Sequence, residues 1–135
     1  MIKKISVLFA IAITISGCIP SIENQQQKNQ NLEAEYLKQL KSVPLLQAFP
    51  DKILLEQGYL HCKNLDNRKT VKDIIWASSQ EAANSVTRDG VSKDSAKVWN
   101  RMQTATVINA AINLCSKHKP QVIEYMEDIE KMRSN

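Results

Sequence analysis

The residues able to do covalent or metal chemistry fall in two short clusters. His61 abuts Cys62, and Cys115 stands three residues before His118. These are the two histidines of the chain, and Cys18 is the third cysteine. Two Cys and two His suit a tetrahedral zinc ion. Cys115 and His118 share one helical face, but His61 and Cys62 diverge by about 100° on a helix. A disulfide between Cys62 and Cys115 asks less, since only the two sulfurs must meet. The bridge is the expected arrangement, and a zinc site of His61, Cys62, Cys115 and His118 is the alternative.

Enzymatic chemistry finds little else. A nucleophile needs an oriented base, commonly a histidine backed by a carboxylate. Both histidines lie beside cysteines expected to be oxidised. His118 falls in a Lys-rich helix end, where a cation suits the helix dipole, and His61 reads as a surface or half-buried residue. Glu33 with Glu35, and Glu127 with Asp128 and Glu130, read as solvated faces. Trp76 and Trp99 fit helix–helix contacts better than a pocket wall. No glycine-rich phosphate loop is present. The reading is of a protein without catalytic residues or a cofactor, its ligand-binding residues unknown.

The elements that must position the cysteines begin after a leader. Lys3 and Lys4 precede Ile5–Ile15, eleven residues without a charge, too short to span a bilayer comfortably. Ile15-Ser16-Gly17-Cys18 follows. This start resembles a bacterial lipoprotein precursor, the last four residues forming its lipobox. The resemblance implies a signal peptide over 1–17, cleavage before Cys18, and acylation (diacylglycerol, then a further palmitate-type chain) at Cys18. The mature chain would be held at a membrane by its N-terminal lipid. Ile19 stands where an inner-membrane retention Asp would sit, so the outer membrane is the expected destination in a cell that has one. Assigning Cys18 to lipid leaves Cys62 and Cys115 as an even pair in an oxidising compartment.

Composition narrows the rest. The chain has 135 residues, 43% hydrophobic and 24% charged, with three Gly and four Pro, which suits one small domain rather than a turn-dense β fold. Its 18 cations against 14 anions include Lys3 and Lys4 of the leader. The remaining charges alternate in sign, and the stretch Lys63–Lys72 is diluted by Asp66, so nucleic acid is not an expected partner. Residues 18–31 are polar and Gln/Asn-rich, and read as a flexible tether.

From residue 32 the periodicity is helical. Leu32, Tyr36, Leu40 and Val43, with Leu37 alongside, share a face ended by Pro44. Asp51 is placed to cap a second helix with Leu55, Gly58, Tyr59, Cys62 and Leu65 on one side. Gly58 weakens that helix by about 1 kcal/mol but lets a partner approach. Thr70 and Asp73 resemble a capping box for a helix carrying Val71, Ile74, Ile75, Ala82 and Val86. Asp89-Gly90 is a turn. Ser92 caps the longest stripe, Val98, Met102, Ala105, Ile108, Ile112 and Cys115. Pro120 opens a last helix with Val122, Ile123, Met126 and Ile129 as its apolar side.

These residues give the mature domain a likeness to a known group. Gly58 four before Cys62, Leu65-Asp66 three and four after it, Ala110-Ala111-Ile112-Asn113-Leu114-Cys115, and the helix around Tyr36-Leu37-Lys38-Gln39-Leu40 resemble the domain of unknown function 732 family. The likeness covers roughly residues 35–118. The segment between the cysteines is longer here, and the turn after Asp66 lacks the usual Gly. The resemblance implies an all-helical fold and a Cys62–Cys115 bridge, and no activity.

The expectation is therefore an all-α bundle of four to five helices over 32–135, stapled by one disulfide. Its function reads as an envelope-anchored, non-catalytic interaction module whose partner is another envelope protein. A small-ligand carrier with an apolar pocket between helices is the alternative.

Overall fold

The computed structural model describes residues 22–134. The proposed signal peptide and Cys18 lie outside the described residues. Five α-helices follow one another: α1 (Ile22–Lys41), α2 (Asp51–Asp66), α3 (Val71–Arg88), α4 (Lys93–Asn109) and α5 (Lys119–Arg133). A 3₁₀ turn, Pro44–Leu46, joins α1 to α2. A π-helical turn, Ala110–Leu114, and a 3₁₀ turn, Ser116–His118, join α4 to α5. No strand occurs among the described residues. The all-α class and the helix count match the expectation.

Local chemistry sets several boundaries. Thr70 Oγ1 accepts from the Asp73 N–H, and the Asp73 carboxylate accepts from the Thr70 N–H at 3.0 Å, a complete capping box. Ser92 Oγ accepts from the Ser95 N–H at 3.1 Å and starts α4. Gly90, at φ 69°, turns the chain between α3 and α4. The end of α2 is closed by a bond from the Lys69 N–H to the Asn64 carbonyl at 3.1 Å. That closure puts Arg68 in the left-handed region, at φ 66°, where glycine is favoured.

Other boundaries differ from the expectation. The tether is helical from Ile22, ten residues earlier than Leu32, although residues 23–31 stay exposed. Straight-chain Gln, Glu and Lys have good helix propensity and extend a helix already nucleated by the packed Tyr36 and Leu40. Asp51 is the first helical residue, with Pro50 at the cap. Its carboxylate pairs with Lys41 Nζ at 3.0 Å instead. Lys41 also donates to the Phe49 and Gln47 carbonyls, so one side chain ties down the α1–α2 connection.

The core has two parts. Tyr36, Leu40, Leu46, Leu54 and Met102 fill one, with Cys62 and Ala110. Leu65, Val71, Ile74, Val107, Ala111 and Val122 fill the other. Cys115 packs against both, so its bond to Cys62 sits where they meet. The Cα atoms are 5.8 Å apart, inside the range a disulfide requires.

On α2, α4 and α5 the buried face is shifted from the one read in the sequence, while Tyr36 and Leu40 of α1 and Val71, Ile74 and Ala82 of α3 are buried as read. On α2, Leu54 and His61 are buried, while Tyr59 is exposed and donates to Glu33 of α1. On α4, Met102 alone of the expected stripe is fully buried, and Gln103, Thr106 and Val107 take the inner side. On α5, Val122 is buried and Tyr125 packs beside it, whereas Ile123 and Met126 face solvent. Ser78, in the polar centre of α3, is buried against α4, where its hydroxyl meets Asn100 Oδ1 at 3.4 Å. Gly58 does permit a close approach, but to the Tyr36 ring and Leu114.

Candidate functional site

Only part of the expected chemistry is brought together. Cys62 and Cys115 are bonded to each other. The two histidines have separate partners: His61 meets Thr106 of α4, and His118 meets Asp66 at the end of α2. Among the described residues, no three His, Cys, Asp or Glu side chains group as metal ligands.

His118 belongs to a helix junction. Its Nε2 lies 2.6 Å from Asp66 Oδ1, and Lys117 Nζ lies 2.9 Å from the same oxygen. The His118 and then the Lys117 hydrogen bonds hold the Asp66 carboxyl below its ordinary range. Gln121 reaches the His118 Nδ1 at 3.3 Å and accepts from the Val71 N–H at 3.2 Å. The cluster thus couples the ends of α2, α3 and α5. His118 is the last residue of the 3₁₀ turn Ser116–His118 and stands at the N-cap of α5.

His61 is buried, 3% exposed, deeper than the surface or half-buried position expected. Burial pushes its pKa down to about 4, with the Gln103 side chain opposing the shift, so the ring is neutral near pH 7. Thr106 Oγ1 lies 2.9 Å from the Met102 carbonyl and 3.0 Å from the Gln103 carbonyl. Its one proton serves these acceptors, so it accepts from His61 Nε2–H at 3.1 Å. That network assigns the tautomer and leaves Nδ1 a lone-pair acceptor with no partner.

His61 lines a groove of about 500 Å³ between α2 and α3. Gln103 of α4 lines it too, its amide donating to Gln57 at 3.0 Å. Leu60 and Trp76 form apolar walls, 49% and 65% exposed. Arg68 and Lys69 stand at the loop end. Asp73 lines the same end, its carboxylate engaged by Thr70. Glu81 lies further along α3.

Trp99 lines a smaller groove of about 270 Å³ between α3 and α4 with Val91 and Ala96. Both tryptophans therefore border open grooves instead of sealing helix contacts. The groove residues were not legible as a set, because Leu60, Trp76 and Gln103 are distant in sequence and carry no shared motif. An aromatic residue on the polar side of α3 was the available signal.

No family model, no curated protein and no solved structure matches this chain.

Proposed function

We propose that this chain is an envelope lipoprotein, anchored through an acylated Cys18, whose helical domain is a non-catalytic interaction module for another envelope protein. The observation that carries the module reading is the open α2–α3 groove with Trp76 and Leu60 on its walls. Exposed apolar surface rimmed by charge is characteristic of contact sites, and Trp and Arg are enriched where binding energy concentrates. Both histidines have structural partners, which supports a module over an enzyme. The small-ligand carrier remains a second reading, favoured by a groove volume within the small-molecule range.

Two measurements test the proposal. Intact mass of the processed protein should show an acylated Cys18 as first residue, and Cys18→Ala should leave the membrane fraction. An unmodified Cys18 would end the lipoprotein reading. Proximity labelling from the anchored chain should enrich an envelope protein, with enrichment lost in Trp76→Ala. A co-purified small molecule whose retention depends on Trp76 would favour the carrier.

A further inference from the structure

The α2–α3 groove is chemically asymmetric along its length. Arg68 and Lys69 are exposed at the loop end and make no ion pair among the described residues. Asp73 answers one of these charges, but its carboxylate is already committed to the Thr70 N–H and hydroxyl at 3.0 and 2.7 Å. One positive charge is left over there. Glu81 lies eight residues beyond Asp73, roughly 12 Å along the helix at 1.5 Å per residue, so the far end is negative. Between the ends lie Trp76 and Leu60.

A further observation points to an occupant. Arg68 holds the left-handed position that closes α2, where a glycine would be relaxed, and its side chain lines the groove. A residue that costs the fold something and borders a groove is a candidate for a binding role.

We propose that this groove docks a short acidic–apolar segment of a partner protein. Its carboxylates meet Arg68 and Lys69, its apolar side chains lie against Trp76 and Leu60, and Glu81 repels acid at the other end and so sets the direction. The proposal rests on the interaction-module reading and supplies the partner's chemistry.

The probe is acetyl-Glu-Glu-Leu-Leu-Gln-amide, which lacks a fluorophore. The protein is the full chain in phosphatidylcholine vesicles, carrying Trp99→Phe so that Trp76 is its single tryptophan. Binding should shift Trp76 emission to the blue and saturate. The neutral peptide acetyl-Gln-Gln-Leu-Leu-Gln-amide should bind about tenfold more weakly, and high salt should weaken the acidic peptide.

Arg68→Gly should lose a similar factor while the thermal midpoint rises, a pairing that misfolding does not produce. Equal affinity of the two peptides, unchanged binding by Arg68→Gly, or no saturable shift would overturn the proposal. Octanoate binding as tightly as the acidic peptide would assign the groove to a small acid and overturn it as well. A failed titration leaves the lipid anchor and in-cell capture untouched, and an unmodified Cys18 leaves the titration untouched, so the two failures are distinguishable.

Discussion

Gly58→Ala is expected to destabilise the domain, against the intrinsic preference of a helix. Ala in place of Gly within a helix favours folding by about 1 kcal/mol. Here an added Cβ would stand 2.6 Å from Tyr36 Oη, 2.7 Å from Tyr36 Cζ and 2.7 Å from Leu114 Cδ1. The tyrosine cannot retreat freely. It is wholly buried, and its hydroxyl donates to the Leu54 carbonyl at 2.8 Å. Overpacking costs about 1–3 kcal/mol, and a broken buried hydroxyl bond adds about 1 kcal/mol. After the propensity gain the net loss is about 1–3 kcal/mol. For a domain of this size that lowers the melting temperature by roughly 4 °C per kcal/mol. Urea unfolding of the disulfide-intact chain, followed by helix ellipticity, should show a lower midpoint at unchanged slope. In a Tyr36→Leu background the cost should shrink to under about 1 kcal/mol, because the Oη and Cζ clashes are gone. A Gly58→Ala protein as stable as its parent, or more stable, would refute the argument.

The remaining expectations concern the staple and a buried ring. Replacing both Cys62 and Cys115 by Ser should lower stability by about 2–5 kcal/mol, the usual cost of losing a native disulfide from a small domain; free-thiol counting on the unfolded, unreduced protein should find neither of these two thiols, and both free with stoichiometric zinc would restore the metal reading. His61 is neutral in the folded chain, with its pKa lowered from 6.5 to about 4. Its contribution is whole above pH 6.5 and is lost as pH falls toward 4, by up to about 3 kcal/mol. The urea midpoint should fall across that window, and His61→Phe should remove most of the slope; an unchanged slope would show that other groups set it.

Local signals carried over well because they depend on few residues. The Thr70–Asp73 box, the Ser92 cap and the Asp89-Gly90 turn needed only neighbours to be read. The inner faces were harder, since counting apolar residues rejects groups that are buried because they are bonded. His61, Gln103 and Thr106 lie inward with hydrogen-bond partners, while Tyr59, Ile123 and Met126 lie outward. The stripe ending in Cys115 was read at one helical period throughout. The π turn at Ala110–Leu114 breaks that period, and no residue there marks it. The cysteine pair was legible from count and context. The groove was not, because three helices and a loop contribute to it.

The π turn has a consequence for the length of the chain between the cysteines. The Cys115 N–H bonds to the Ala110 carbonyl, five residues back, at 2.9 Å, so the turn holds one residue more than an α-helical turn would. Were the same residues wound as α-helix, position 115 would swing round by about 100°, one residue's rotation. Its sulfur would then leave the seam between the two halves of the core. Distance alone does not fix the spacing of the bridge; angular phase does. Insertions and deletions between Cys62 and Cys115 should therefore be tolerated in the loop at Asp89-Gly90, which absorbs length without rotating either cysteine; after Asn109 a one-residue deletion should keep the phase by restoring α winding, and a one-residue insertion should lose it.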